Sequence, residues 1–120
     1  MALHLNIAKE FSPVPIGRYK DDGDKSGEVF RDKFLYPKIS EAQRKDEKLE
    51  IDFTGMYGLS SSFLEEAFGG LVREYDLDPD DLLDIIVFLP KKSHFDLYIG
   101  LAKEYIKEAK QVDNTNTLSR

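Results

Sequence analysis

The sequence contains no cysteine and no tryptophan, and its only histidines are His4 and His94. Without cysteine the chain can form no disulfide, and it offers no thiol nucleophile and no thiolate ligand for zinc or an iron–sulfur cluster. The two histidines do not have the spacing of a metal site, so we expect no metal and no cofactor. No apolar run approaches the ~18 residues of a membrane span. The first residues lack the basic and apolar regions of a signal peptide, so we expect a cytoplasmic protein.

Positive charge is also scarce. Lys and Arg number 17 against 23 Asp and Glu, which gives a net charge of −6. General nucleic-acid binding needs an excess of positive charge, so it is not expected. Hydrophobic residues make up 41% of the 120 residues and charged residues 33%, a balance typical of one globular domain. We expect that domain to span residues 1–112 and a flexible tail to span 113–120, where no core pattern is present.

Four segments have strand character. Residues 3–9 and 49–54 alternate between apolar and polar side chains. Residues 85–89 form an unbroken apolar run, which is typical of an interior strand covered on both faces. Residues 16–20 are short enough to pair back on the first strand as a hairpin. We therefore predict an α/β fold with a mixed, mostly parallel four-stranded sheet and about three main helices.

The predicted helices follow from apolar periodicity and capping residues. The first begins near Ser26, and Pro37 should kink it or end its first half. The second spans residues 63–75 with strong amphipathic spacing, and the third opens at Ser93. A helical turn capped by Asp78 precedes the last strand. The predicted core includes Phe68, Leu71, Ile86, Phe88, Leu101 and Tyr105.

Three serines, Ser60 to Ser62, stand between the strand at 49–54 and the second helix. Ser62 and Glu65 have the spacing of a capping box, so Ser62 is the predicted N-cap. Ser61 then has no structural role, and a phosphate on it would face the positive end of the helix. Because ligand and partner sites form at the carboxyl ends of parallel strands, this junction is the leading candidate site.

Two blocks of the sequence resemble the core of the STAS domain, the fold of bacterial anti-sigma factor antagonists. Residues 52–56, Asp-Phe-Thr-Gly-Met, are similar to the block at the end of its strand, and residues 60–64, Ser-Ser-Ser-Phe-Leu, to the block that opens its helix. Ser61 falls on the phosphoacceptor serine of that family. Ser60 stands where the antagonists have an acidic residue, and Phe63 stands where they have glycine.

A closer resemblance is to an uncharacterised bacterial group of STAS-like proteins. The matching runs are Gly-Arg-Tyr at 17–19, Asp-Gly at 22–23, Ser-Gly-Glu at 26–28 and the eleven residues at 61–71. These runs span much of the chain, and the last is the most specific.

The resemblance implies a regulatory, non-enzymatic module that docks a protein partner through the loop and helix at 57–72. In the antagonists that partner is an ATP-binding anti-sigma factor kinase of the histidine-kinase type, and phosphorylation of the serine releases it. With Ser61 as candidate phosphoacceptor, the expected partner or ligand surface comprises Tyr57, Ser60, Ser62, Glu65, Glu66, Gly69, Arg18, Lys92 and His94.

Two other functions remain open at this point. The same sheet edge would suit a small ligand or nucleotide held by Arg18, Lys92 and the helix N-terminus, and an exposed apolar face would suit a homodimer. The paired glycines Gly69 and Gly70 indicate either close packing against a strand or a flat patch for a partner helix. A serine hydrolase is not favoured, because no G-x-S-x-G motif surrounds the serines.

Overall fold

Three parallel strands form the sheet, and the second strand lies in its middle. The structure is a computed structural model that describes residues 2–110. Strand β1 is Ala2–Asn6, β2 is Lys48–Asp52 and β3 is Ile86–Leu89, in the order β1-β2-β3. In the parallel register Leu5 lies beside Ile51, and Ile51 lies beside Phe88. These three side chains share the buried face of the sheet.

Five helices accompany the sheet within the described part of the chain, and not the predicted three, because Ile7–Glu10 and Pro79–Ile85 are also helical. The helical turn α1 is Ile7–Glu10, α4 is Pro79–Ile85 and α5 is Asp96–Glu108. Two longer helices each contain a π turn between α-helical halves. Helix α2 spans 27–45 as Gly27–Phe30, Arg31–Leu35 and Tyr36–Lys45, and α3 spans 61–75 as Ser61–Leu64, Glu65–Gly69 and Gly70–Tyr75.

The predicted fourth strand at 16–20 is wrong, because this segment hydrogen-bonds to the start of α2 and not to the sheet. The Ile16 N–H donates to the Lys25 carbonyl, and the Gly27 N–H donates to the Gly17 carbonyl. Gly17 has φ +96°, a conformation that carries the chain away from an extended path. The residues that follow form a 3₁₀ turn, Lys20–Asp22.

The predicted interior position of β3 is also wrong, since β3 is an edge strand and β2 is central. The unbroken apolar run predicts burial on both faces of the strand. In the structure Ile86 and Phe88 are buried, whereas Val87 and Leu89, on the other face, are half-buried. Alternation in β2 reports only that its second face is polar, with Glu50 and Asp52, and carries no information about its place in the sheet.

The three predicted strand segments are confirmed as strands, but each is shorter than predicted. Strand β1 stops at Asn6 because the Asn6 side chain accepts the Lys9 N–H at 2.8 Å and caps α1. Residue 85 belongs to α4, so β3 starts at Ile86.

Two of the predicted capping residues set helix starts, but the predicted start of the last helix at Ser93 is wrong, because Ser93 and Asp96 bond within a turn and α5 begins at Asp96. Ser26 accepts the Val29 N–H at 3.2 Å, and Asp78 accepts the Asp81 N–H at 3.0 Å. Pro37 does not end its helix. A π turn lies just before it and accommodates the missing N–H and the bulk of the ring, and the helix continues to Lys45.

The core forms between the helices and one face of the sheet. Phe68 and Leu71 are fully buried, and Ile86 and Phe88 are 6% exposed, as predicted. Tyr105 and its neighbour Leu101 are only half-buried, which corrects the prediction for α5. The buried stripe of α5 is instead formed by Ile99, Ala102 and Ile106.

Among residues 2–110, no helix is both long enough and apolar enough to cross a membrane. The predicted domain end at 112 and the predicted flexible tail at 113–120 lie outside the described residues.

Phe68→Ala should lower the free energy of unfolding by about 3–5 kcal/mol, because the ring is fully buried and its loss leaves a cavity. The ring packs edge-on against Phe88, with centroids 5.6 Å apart. Urea denaturation checks this, with Tyr57→Ala as the matched control, since Tyr57 is 87% exposed. Equal midpoints for the two variants would contradict the assignment of Phe68 to the core.

Candidate functional site

The loops at the carboxyl ends of the three strands meet at one edge of the sheet, as parallel strands require. The loop after β1 leads through Pro13, the loop after β2 leads to α3, and the loop after β3 leads to α5. The first two loops are joined directly, because the Tyr57 N–H donates to the Pro13 carbonyl at 2.8 Å. This edge carries the serine junction.

Ser60 is the N-cap of α3, which corrects the assignment of that role to Ser62. The Ser60 hydroxyl accepts the Phe63 N–H at 3.1 Å. Ser62 is already the second helical residue. The capping box with Glu65 does not form, since arginine side chains hold that carboxylate.

Ser61 is the first residue of α3, and its side chain is exposed, as is that of Ser60. The first turn of a helix has backbone N–H groups without helical partners and the positive end of the helix dipole. The structure therefore leaves the Ser61 hydroxyl accessible. Its phosphorylation stays a prediction.

Large apolar side chains are exposed in the loops at this same edge and at the start of α5. Val14 is 45% exposed, Ile16 66%, Tyr57 87% and Leu97 69%. Beside Tyr57 is a hollow of about 260 Å³, lined by Met56, Tyr57, Gly58, Leu59, His94, Phe95 and Tyr98. We call the four exposed side chains and the hollow the loop surface. Sequence reasoning found Tyr57 and His94 but missed Val14, Ile16 and Leu97, because no periodicity shows which loop residues are left uncovered.

Beneath the serine junction lies a buried ion pair between α2 and α3. Arg31 is 4% exposed, and its Nη1 donates to Oε2 of Glu66 at 2.6 Å and to the Glu66 carbonyl at 3.2 Å. Arg31 Nε also donates to Oδ1 of Asp32 at 2.8 Å. Asp32 in turn accepts the Tyr75 hydroxyl at 2.8 Å. One arginine thus holds two helices together.

Two further arginines complete the cluster from the solvent side. Arg18 Nη1 donates to Oε1 of Glu65 at 2.6 Å and to Oε1 of Glu66 at 3.3 Å. Arg73 Nη2 donates to the same Glu65 oxygen at 3.1 Å. Burial by itself would raise the pKa of Glu65, but the hydrogen bonds from Arg73 and Arg18 hold that pKa below its usual value. We call Arg18, Arg31, Arg73, Glu65, Glu66 and Asp32 the arginine cluster; its charges balance.

The paired glycines make room for this cluster. A Cβ on Gly70 would lie 2.5 Å from Nη1 of Arg31, and one on Gly69 would lie 2.7 Å from Oε2 of Glu65. Both interpretations left open by the sequence are therefore wrong, since the glycines neither pack on a strand nor form an exposed patch. Gly27 allows α2 and α3 to pack closely where they cross, because a Cβ at this position would lie 2.7 Å from the Phe63 carbonyl oxygen.

These contacts divide the residues expected on the partner surface. Tyr57, Ser60 and His94 are exposed at the loop surface or the helix start. Glu66 and Gly69 are buried, so a docking partner cannot reach them, and they are corrected to structural positions.

The remaining expected residues have other surroundings. Arg18 and Glu65 are half-buried and engaged with each other, and Ser62 is half-buried in the first turn of α3. Lys92 is exposed but lines a separate depression along β3, with Lys103, and not the hollow. The structure therefore does not bring Arg18 and Lys92 together as a ligand clamp.

Arg31, Asp32, Arg73 and Tyr75 were missed by sequence reasoning. A usable signal was present in the Glu-Glu and Gly-Gly pairs of one helix, because paired buried carboxylates need cations and room for them. Arg31 was not expected inside, since it stands on a helix face with several charged neighbours.

Residues 26–89, just over half of the chain, match the model of a protein family described as a STAS-like domain of unknown function (DUF4325). The matched segment runs from the N-cap of α2 to the last residue of β3 and contains the serine junction and all of the arginine cluster except Arg18. No curated protein and no solved structure gives a significant match to the chain.

Arg31→Met should lower the free energy of unfolding by about 3–5 kcal/mol, because it leaves the Glu66 carboxylate buried with its main partner gone. The double variant Arg31→Met/Glu66→Leu should lose less free energy of unfolding than the two single variants lose together. Urea denaturation of the four proteins in this cycle checks both statements. The control is Lys45→Met, which removes an exposed pair with Glu41 and should change little. If Arg31→Met loses no more free energy of unfolding than Lys45→Met, the structural role of the arginine cluster is contradicted.

Tyr75 should titrate well above an ordinary tyrosine. Burial, together with the hydrogen bond to Asp32, raises the pKa of Tyr75 to about 12. The pKa of Tyr75 is higher in the folded state than in the unfolded state. The contribution of Tyr75 to the free energy of unfolding is therefore complete below pH ~10 and is lost as the pH rises towards 12. Ring-carbon NMR of the tyrosines through alkaline pH checks this, with Tyr75→Phe to assign the signal. A Tyr75 signal that titrates near pH 10 would refute it.

Proposed function

The chain belongs to a family of STAS-like domains, and on that premise we propose that it is a protein-interaction module that docks a partner through its loop surface. The resemblance inferred from the sequence blocks is confirmed by the family match. One observation carries the proposal: Val14, Ile16, Tyr57 and Leu97 leave large apolar side chains uncovered at or beside the edge where Ser60 and Ser61 open α3.

Val14 follows Pro13, whose carbonyl accepts the Tyr57 N–H, and Leu97 lies between Phe95 and Tyr98, which line the hollow together with Tyr57. Exposed apolar side chains that lie close together are typical of protein interfaces. Tyr57 suits an anchor, since tyrosine gives a large contact area with few rotatable bonds, and the hollow beside it can receive a partner side chain. Binding residues are also favoured on loops that a rigid scaffold positions.

The arginine cluster supplies that scaffold. It ties α3, whose first turn presents the serines, to α2 through Arg31 and Glu66, and to the segment before α2 through Arg18 and Glu65. A surface held in place before binding loses less conformational entropy on docking. This supports recognition by a preformed face.

We propose, further, that the partner is an ATP-binding protein of the anti-sigma factor kinase type and that phosphorylation of Ser61 releases it. The support is the resemblance to the antagonists together with the exposed position of Ser61. A phosphate would add about −1.5 to −2 charges beside the apolar loop surface. The helix start tolerates this charge, whereas an apolar partner face would have to desolvate it. The module would act by binding and release, without catalysis.

Small-ligand binding is the second candidate, and the hollow supports it. Its 260 Å³ and its aromatic lining with His94 suit a small planar ligand. Arg18 and Lys92, the cations that the sequence suggests for such a ligand, do not line the hollow, so they provide no support for an anionic nucleotide there.

The test is a binding titration of the purified chain against the ATPase that co-purifies with it. Tyr57→Ala should weaken binding about tenfold or more, and Ser61→Asp should weaken it because it places charge beside the interface. Ser61→Ala should bind as tightly as the wild type. Ser40→Asp is the matched control, since Ser40 lies half-buried in the last part of α2, near the opposite end of the sheet.

Equal affinities for wild type, Tyr57→Ala and Ser61→Asp would overturn the docking site. Weaker binding by Tyr57→Ala with unchanged binding by Ser61→Asp would support the docking site but contradict the phosphorylation switch. Competition by a small planar ligand for the hollow, with no effect of any variant on ATPase binding, would favour the second candidate.

A further inference from the structure

The outer edge of β3 has no neighbouring strand in the described sheet. The Phe53 N–H donates to the Leu89 carbonyl, so the polar backbone groups of Leu89 point towards β2. These groups alternate in direction along a strand, so the N–H and C=O of Phe88 point outward. The hydrogen bonds described for residues 2–110 give neither group a partner. The Ile86 N–H, which also points outward, is already taken by the Leu82 carbonyl.

A groove of about 380 Å³ runs along this edge and is bounded on its far side by α5. It is lined by Leu83, Ile86, Val87, Phe88, Lys91, Lys92, Asp96, Ile99 and Lys103. An edge strand beside a helix, with an apolar floor between them, is the geometry in which extended peptides add to a sheet. Main-chain hydrogen bonds then hold the peptide, and alternate side chains enter the groove.

Three lysines surround the groove. Lys91, Lys92 and Lys103 are exposed, and no ion pair described for residues 2–110 includes them. The one carboxylate in the lining, Asp96, accepts the Ser93 N–H at 3.1 Å. This local excess of positive charge stands on a chain whose net charge is −6. Screening limits the influence of distant charges to about 8 Å at physiological salt, so a ligand in the groove meets the lysines first.

We propose that this edge, which we call the β3 groove, binds an extended acidic peptide segment of a partner protein as a fourth strand of the sheet. The outward N–H and C=O of Phe88 bond to the peptide backbone, and Lys91, Lys92 and Lys103 pair with its acidic side chains. The β3 groove does not include the exposed loop residues or serines on which the proposed function rests. The two ideas can therefore fail independently.

Charge decides the choice of occupant. A second copy of this chain, paired strand to strand across a twofold axis, would add its own three groove lysines to an interface that already contains these three. Like charges gathered at one interface weaken association, whereas an acidic peptide neutralises them.

The test uses an acetylated and amidated heptapeptide of alternating glutamate and valine, titrated into the ¹⁵N-labelled chain. We expect the largest amide shifts at Val87 and Phe88 and slower hydrogen exchange of the Phe88 N–H. The same peptide with lysine in place of glutamate should bind at least about tenfold more weakly. A version N-methylated at alternate positions keeps the charge but loses main-chain donors, and it too should bind about tenfold more weakly.

Protein variants separate the groove from general attraction. Lys91→Glu/Lys103→Glu should weaken peptide binding about tenfold, whereas Lys9→Glu/Lys33→Glu makes the same charge change at exposed lysines outside the groove and should change it little. Equal loss in both double variants, equal binding of the N-methylated peptide, or shifts confined to residues 56–60 would overturn the proposal. A peptide-free dimer that already protects the Phe88 N–H would overturn it in favour of a second copy.

Discussion

The buried contact between Arg31 and Glu66 is the constraint around which the helical layer is arranged. A guanidinium group that is almost fully buried is tolerated only with its donors paired, and Glu66 and Asp32 pair them. The contact requires a helix without a side chain at Gly70, so that the arginine fits beside the backbone. The serine-bearing start of α3 lies at the carboxyl edge of the sheet because the loop after β2 leads into it, and the contact holds α3 against α2.

The sequence predicted those parts of the fold that depend on local pattern. Caps such as Ser26 and Asp78 and the buried Phe68 follow from residue type and spacing, and the structure has them in place. The position of β3 could not be predicted in this way, because apolar content reports burial and not neighbours. The segment at 16–20 depends on long-range backbone bonds that leave no trace in its own composition.

The candidate site shows the same division. The serine junction was found because a strand followed by a serine run and a helix is a local pattern. The identity of the cap was missed by two residues, since the Glu65 carboxylate that would have closed the box at Ser62 is bound by Arg18 and Arg73. The arginine cluster determines which of the expected residues a partner can reach. This cluster forms only when three separate segments of the chain come together in the fold, so a local pattern does not reveal it.

The all-parallel arrangement of the described sheet also governs how the chain can assemble. Residues 7–47 separate β1 from β2, and residues 53–85 separate β2 from β3, so every strand pairing closes a long loop. Loop closure costs entropy before any contact forms, and folds dominated by such contacts form slowly. During synthesis β1 must wait until the central strand has left the ribosome, and β2 keeps an open edge until residue 89 follows. The two long helices, α2 and α3, need only local backbone hydrogen bonds and can begin to form before the strands pair, whereas α1, with four residues, is too short to be stable alone.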